Sequence, residues 1–232
     1  MPDFSKRSTL PEKMDQPGVP AHETEQALRE LETVNTRLGG YAVTLHALGK
    51  LTLPPGTIKI ADLGCGGGDV LRTIATWAKK KGIQAKLVGV DWNKTMTDFA
   101  ARQSAQYPNI EYKTLSVFDD MLLNDKVHIA TCSLFCHHFE KDALVELVQR
   151  MHAMSTVAVI INDLHRHWFA YYSIKYITAL FSRTYLVKYD APLSVARAFT
   201  RRDWEDILHT AGIEKYTLKW RWAWRWELII HK

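Results

Sequence analysis

The sequence predicts an α/β protein built on a doubly wound, mostly parallel sheet. Three observations carry this. Ile58 to Leu63 is a short apolar run that breaks into four glycines within Gly64–Gly68; from Val70 to Ala78 the apolar residues then recur at helical spacing. Further β-branched runs alternate with amphipathic segments as far as Ile161. The last stretch, residues 214–232, reads as strand again, with Trp220, Trp222, Trp224 and Trp226 alternating with Arg221, Ala223 and Arg225.

In chain order, residues 1–20 hold Pro2, Pro11, Pro17 and Pro20 with few large apolar residues, the composition of a loose arm. Residues 21–54 carry Leu28, Leu31, Val34, Leu38, Leu45, Leu48 and Leu51 at helical spacing, interrupted at Gly39-Gly40, so N-terminal helices are expected. Pro54-Pro55-Gly56 punctuates the entry to a core spanning 55–166 and 200–232. Within it, strands are expected at Ile58–Leu63, Ala85–Asp91, Ile110–Leu115, Val127–Phe135 and Thr156–Ile161, with helices at Lys94–Tyr107 and Asp142–Met154. Residues 167–199 form an aromatic insertion, a helical cap. Thr200-Arg201-Arg202-Asp203 resembles a capping box and opens the last helix, which stops at Gly212.

Composition narrows the class. A chain of 232 residues, 47% apolar, fits one domain with a sizeable core. A net charge of +5 permits contact with nucleic acid or an anionic membrane and demands neither. Three cysteines with no secretory apolar segment point to a reducing, cytoplasmic setting. No run is long enough for a transmembrane helix.

The glycine loop decides the cofactor class. Counting from Gly64, the sixth position is Asp69, where a dinucleotide fingerprint needs Gly or Ala. No Gly-Lys-Ser/Thr follows, so a P-loop is excluded as well. Acids at Asp62 and Asp69 repel a pyrophosphate and suit a positively charged cofactor, and S-adenosylmethionine carries a sulfonium and an ammonium. At this point Asp62-x-Gly64-x-Gly66-x-Gly68 resembles the first motif of the class I S-adenosylmethionine-dependent methyltransferases, and the resemblance runs from about Ile58 to Asp163. It implies a seven-stranded, Rossmann-like sheet closed by an antiparallel end strand, with Asp62, Gly64, Cys65, Gly66 and Gly68 around the cofactor. It also implies that Asp91 takes the ribose hydroxyls and that Trp92 lies against the adenine. The family's usual adenine-binding Asp is replaced here by Ser116, followed by Val117 and Phe118. Ser133, at the end of the fourth strand, faces the cofactor methyl.

The same strand delivers Cys136-His137-His138-Phe139 to the crevice where open α/β sheets bind ligands. An imidazole there can take a proton from a substrate hydroxyl, and His138 is favoured over His137; the bland reading is a pair that only shapes the loop. Cys132, Cys136 and the two histidines lack paired metal-ligand spacing, so no metal is expected. Polar residues Asp163 and His165 end the fifth strand at the same crevice. Trp168, Tyr172 and Tyr176 of the insertion are expected to line a cavity for an apolar substrate, with Arg197 as a polar contact; a helix lying on a membrane surface is the rival. Alternating tryptophans in the tail suit either base stacking or a sheet face, and the sheet is favoured.

The expected function is methyl transfer from S-adenosylmethionine to a small, largely apolar acceptor such as a phenol, quinol or polyketide-like aromatic. O-methylation is favoured over C-methylation. A nucleic-acid methyltransferase is the second enzymatic reading; no Asn-Pro-Pro-Tyr-like run supports it. A catalytically inactive cofactor-binding partner is the non-enzymatic one.

Overall fold

A computed structural model describes residues 3–16 and 18–232. Seven strands form one sheet in the order β3-β2-β1-β4-β5-β7-β6. In chain order they are β1 (Ile58–Leu63), β2 (Ala85–Asp91), β3 (Ile110–Thr114), β4 (Val127–Ser133), β5 (Ser155–Leu164), β6 (Tyr216–Arg221) and β7 (Arg225–His231). β1 to β5 pair in parallel, and β7 is antiparallel to both β5 and β6. The reversed strand therefore lies one place in from the edge, with β6 outside it. The sheet order reverses at β1, whose neighbours are β2 on one side and β4 on the other, and that opens the crevice above their carboxyl ends.

The central strands are apolar over most of their length because helices cover both faces. Ile58 and Ile60 of β1 pack with Leu71 and Ile74 of α3 (Asp69–Lys80) and with Ala47 and Leu48 of α2 (Gly40–Leu48). Ala61 and Leu63 face the other way. Their cluster includes Leu144, Leu147 and Val148 of α6 (Lys141–Met154) and Trp204 and Leu208 of α9 (Arg201–Thr210). The capping box forms as the sequence expects: Thr200 Oγ1 accepts from the Asp203 N–H, and the Asp203 carboxylate accepts from the Thr200 N–H. The remaining helices are α1 (Ala21–Arg37), α4 (Lys94–Gln103), the short α5 (Met121–Asn124), and the pair α7 (Trp168–Phe181) and α8 (Tyr185–Arg197), which fill the expected cap. Among the described residues no helix is long and apolar enough to cross a membrane.

The expected loose arm differs from what is found at residues 4–14; Met1, Pro2 and Pro17 of it lie outside the described residues. Ser8 N–H donates to the Ala196 carbonyl at 3.0 Å. The N–H groups of Lys13 and Met14 donate to the Asp190 carboxylate at 2.8 and 2.9 Å. Arg166 donates to the Phe4 carbonyl at 3.1 Å. Buried charged groups of the cap and core need partners, and the arm's backbone supplies them, so a proline-rich segment with little apolar content is held as a strap.

Candidate active site

The loop after β1 is shaped by close approach. Gly64 and Gly68 have φ +70° and +73°, and a Cβ would drive into the ring of Phe135 at the first and into Tyr112 at the second. Gly64 and Cys65 donate to the Val90 carbonyl at 2.8 and 3.1 Å, which locks the loop onto β2. Asp91, at the end of β2, accepts from the N–H of Gly66 at 3.0 Å and of Asn93 at 2.9 Å. Burial nonetheless raises its pKa. Asp62 accepts from the Thr131 hydroxyl at 2.6 Å, and burial pushes it up to about 7. Asp69 accepts from the Tyr41 hydroxyl at 2.5 Å and is also raised by burial. Three carboxylates, the buried Asp62 and Asp91 and the half-buried Asp69, thus face one crevice, and each ionises against the low dielectric. A pyrophosphate would be repelled there, and a sulfonium and an ammonium would be held. The donor set therefore fits S-adenosylmethionine: Asp91 could take ribose hydroxyls, and Asp62 and Asp69 could face its positive charge.

Opposite this wall, Cys136–His138 form one 3₁₀ turn after β4. Arg197 fastens the turn from α8. Its Nε donates to the His137 carbonyl at 3.0 Å, and its Nη2 to the His138 carbonyl at 2.7 Å. Arg7 of the arm adds bonds to the carbonyls of His137 and Phe139 at 3.2 and 2.9 Å.

The two histidines are held in different states. His137 is 2% exposed, with Nδ1 2.8 Å from Asp163 and Nε2 3.4 Å from Glu12. Burial disfavours its cation, but these two carboxylates override it and hold the imidazolium up to about 10. Its charge in turn pulls Glu12 down to about 2 against the cost of burial. Such a group keeps its proton at neutral pH and has no free lone pair, so His137 fits the loop-shaping reading rather than that of a base. His138 is half-buried. Its Nδ1 lies 2.5 Å from Asp15 of the arm, and its Nε2 faces the chamber 3.8 Å from Glu12. An Asp–His pair whose second nitrogen makes no hydrogen bond among the described residues is the arrangement a general base needs. Glu12, His137 and His138 bring three ligand-type atoms within 4.8 Å of one another. Within it the His137 imidazolium faces the Glu12 carboxylate.

Both walls enclose a chamber of about 450 Å³, within the ordinary range of small-molecule sites. Of the residues singled out in the sequence, it is lined by Asp62, Gly64, Cys65, Gly66, Asp91, Trp92, Ser133, His137 and His138. Gly68 sits just behind, as the N-cap of α3. Ser116, Val117 and Phe118 stand away from the lining: Ser116 accepts from the Phe118 N–H, and Phe118 packs edge-on to Phe139. Asp163 acts through His137, and Arg197 through backbone carbonyls. His165 accepts from the Trp220 indole at 3.2 Å, and burial lowers its pKa to about 4.

The cap meets the chamber through a different face from the one expected. Phe169, Ala170, Ser173, Ile174 and Ile177 point inward. Trp168, Tyr172 and Tyr176 fall on an outer stripe at i, i+4 spacing that ends at Leu180; Trp168, Tyr176 and Leu180 are 56%, 65% and 77% exposed. An apolar helix with no clear polar side gives no orientation from sequence, and packing on α8 settled it. Sequence reasoning also missed Glu12, Asp15 and Arg225 as lining residues; an acid in a proline-rich arm and an arginine in an alternating strand carry no periodic signal.

Residues 60–157 match the family model described as a methyltransferase domain. No curated protein matches the chain by sequence. Among solved structures, the chain is similar to the plantazolicin methyltransferase BpumL in complex with SAH, at TM-score 0.63 and 15% identity over 91% of this chain and 96% of that one. It is similar to magnesium protoporphyrin IX methyltransferase of Synechocystis PCC 6803 with bound SAH, at TM-score 0.52 and 18% identity over 94% and 90%. A Nostoc punctiforme PCC 73102 protein, provisionally described as an O-methyltransferase, gives TM-score 0.59 and 13% identity over 88% of this chain; the chain spans only 59% of that protein.

Proposed function

We propose that this chain, which carries a class I S-adenosylmethionine-dependent methyltransferase domain, moves a methyl group onto a hydroxyl of a small, largely apolar acceptor such as a phenol, quinol or polyketide-like aromatic. The observation that carries this reading is the junction of an acid-lined crevice with an apolar chamber at the His138–Asp15 pair. When bound, S-adenosylmethionine supplies an electrophilic methyl carbon on a sulfonium. Asp91 orients the ribose, and the inward face of α7 with Leu31, Val34 and Leu38 of the N-terminal helices excludes water around the acceptor. Asp15 holds Nδ1–H of His138, so that Nε2 can accept the acceptor's hydroxyl proton. The bound cofactor would supply its methyl to the freed oxygen and leave as SAH, while the proton would rest on His138, beside Glu12. Positioning supplies most of the rate, and the base supplies the rest.

The test is methyl transfer from labelled S-adenosylmethionine to alkylphenols and to oligonucleotides, with product analysis. An O-methyl ether is expected, with oligonucleotides unmodified. Carbon methylation with full activity in His138→Ala would replace the hydroxyl reading, and methylated oligonucleotides would replace the small-molecule one.

A further inference from the structure

Arg225 opens β7 opposite Leu164 of β5 and lines the chamber. It is 3% exposed. Nη2 donates to Asn35 Oδ1 at 3.2 Å, while Nε and Nη1 have no partner among the described residues. No carboxylate forms an ion pair with it among the described residues. Burial lowers its pKa to about 10, with Asp163 and Tyr41 acting the other way, so it is a cation at neutral pH. The other buried arginines are treated differently. Arg166 donates to the carbonyls of Phe4 and Ala198 and to Asp203. Arg197 donates to the carbonyls of Leu10, His137 and His138. An uncompensated buried guanidinium is among the most destabilising groups a core can hold. Its persistence in a ligand chamber is explained if the ligand brings the counter-charge.

A second orphan lies nearby on the same wall. Asn162 is 2% exposed and lines the chamber. Its Nδ2 donates to the Gly40 carbonyl at 2.9 Å and to Thr44 Oγ1 at 3.3 Å, and its Oδ1 has no partner among the described residues. The chamber wall thus carries a cation with unused donors and, on the adjoining strand, an unused acceptor, all of them buried in the ligand-free protein.

We propose that Arg225 is the seat of a ligand carboxylate, with Asn162 Oδ1 accepting from an adjacent N–H or O–H of the same ligand. Resting on the methyl-transfer reading above, two ligands can bring that chemistry. One is the amino-acid end of S-adenosylmethionine, whose ammonium can donate to Asn162. The other is an acceptor that is itself a hydroxylated aromatic or polyketide-like acid. Planarity and charge make arginine suited to either, and lysine a partial substitute.

Calorimetry on the full chain separates the sources. The first arm titrates SAH and 5′-methylthioadenosine, which lacks the amino-acid end, into the wild type, Arg225→Met and Arg225→Lys. If the seat belongs to the cofactor, Arg225→Met weakens SAH about 10- to 100-fold and leaves methylthioadenosine unchanged. The second arm titrates an alkyl-substituted hydroxybenzoate and the matching alkylphenol into protein saturated with SAH. If the seat belongs to the acceptor, the wild type prefers the acid by a similar factor, Arg225→Met erases the preference with SAH affinity intact, and Arg225→Lys retains part of it. If Arg225→Met changes neither the SAH affinity nor the preference for acid over phenol, the proposal is overturned. Should Arg225→Met fail to fold, the wild type still decides: SAH against its methyl ester and the acid against the phenol must show the same discrimination, and its absence from both pairs overturns the proposal. None of these arms needs turnover, so the carboxylate seat can stand while the hydroxyl-methylation reading fails, and the reverse.

Discussion

Asp91 and His138 face the same chamber and are held by opposite means. Asp91 is fixed by backbone N–H groups from Gly66 and Asn93, 25 and 2 residues away. His138 is oriented by Asp15, 123 residues away on a strap that has no secondary structure of its own. The wall proposed for the cofactor is wired over shorter spans, from strand ends and one glycine loop, with the Thr131 hydroxyl reaching Asp62 across 69 residues. The acceptor wall is wired globally, from the arm, the turn after β4, the end of β5, the cap and the start of β7. A local wall can be changed one residue at a time without disturbing the other. A global wall fails together when any of its distant anchors goes.

The sharpest way to break this contrast is His138→Ala. Turnover should fall about 100- to 10,000-fold, the usual worth of a general base, while calorimetric SAH affinity stays at the wild-type value. Asp15→Asn should act in the same direction but less, about 10- to 100-fold on kcat, as expected when the group that orients a working imidazole is weakened. If cofactor affinity fell in step with rate in either variant, the separation of the two walls would be wrong. Asp91→Ala is the converse. Loss of charge-assisted ribose bonds should weaken SAH about 10-fold or more, and at saturating cofactor turnover should stay near the wild-type value.

The smallest expected effect concerns protons. Asp62 is raised by burial to about 7, above its ordinary 3.8. A carboxyl whose folded pKa is raised holds its proton longer than the unfolded chain does. The free protein therefore loses stability as pH rises from the ordinary carboxylate range through about 7, the reverse of a salt-bridged acid. A bound cation favours the ionised form, so S-adenosylmethionine binding near neutral pH should release a fraction of a proton. Calorimetry in buffers of different ionisation enthalpy reads this directly. Asp62→Asn should reduce the buffer dependence and the slope of the stability profile over that range, with the remainder due to Asp69 and Asp91, which burial also raises.

The contrast between the walls also explains what could be read from the sequence. Strand, glycine loop and following helix are contiguous, so Asp62, Gly64 and Asp91 were legible together with the sheet they end. The aromatic cap was legible as an insertion but not in its rotation. Trp168, Tyr172, Tyr176 and Phe169, Ser173, Ile177 are two helical faces with equally apolar character, and only packing on α8 chose between them. His137 and His138 were visible as a pair. Their division of labour was not, because it depends on which carboxylate reaches which ring. Glu12 and Asp15 lay in a segment read as loose, and the partners that fix them, Ser194 and His138, are remote in sequence. Arg225 fitted an alternating strand so well that its unpaired state became visible only in three dimensions.

The tied arm carries a consequence for the order in which the molecule assembles. Bonds such as Arg7 to the Arg197 carbonyl and the Lys13 N–H to Asp190 close loops of 190 and 177 residues, against 25 for Gly66 to Asp91. On loop-closure entropy alone, the longer connection costs about 2 kcal/mol more to make. Contacts of that span form late in folding and are the first to open under mild destabilisation. Amide exchange should therefore be slow at Gly64–Cys65 and fast at Ser8, Lys13 and Met14, with a window of denaturant in which SAH still binds and the acceptor wall is open. Within that window the protein would hold its cofactor before it could use it.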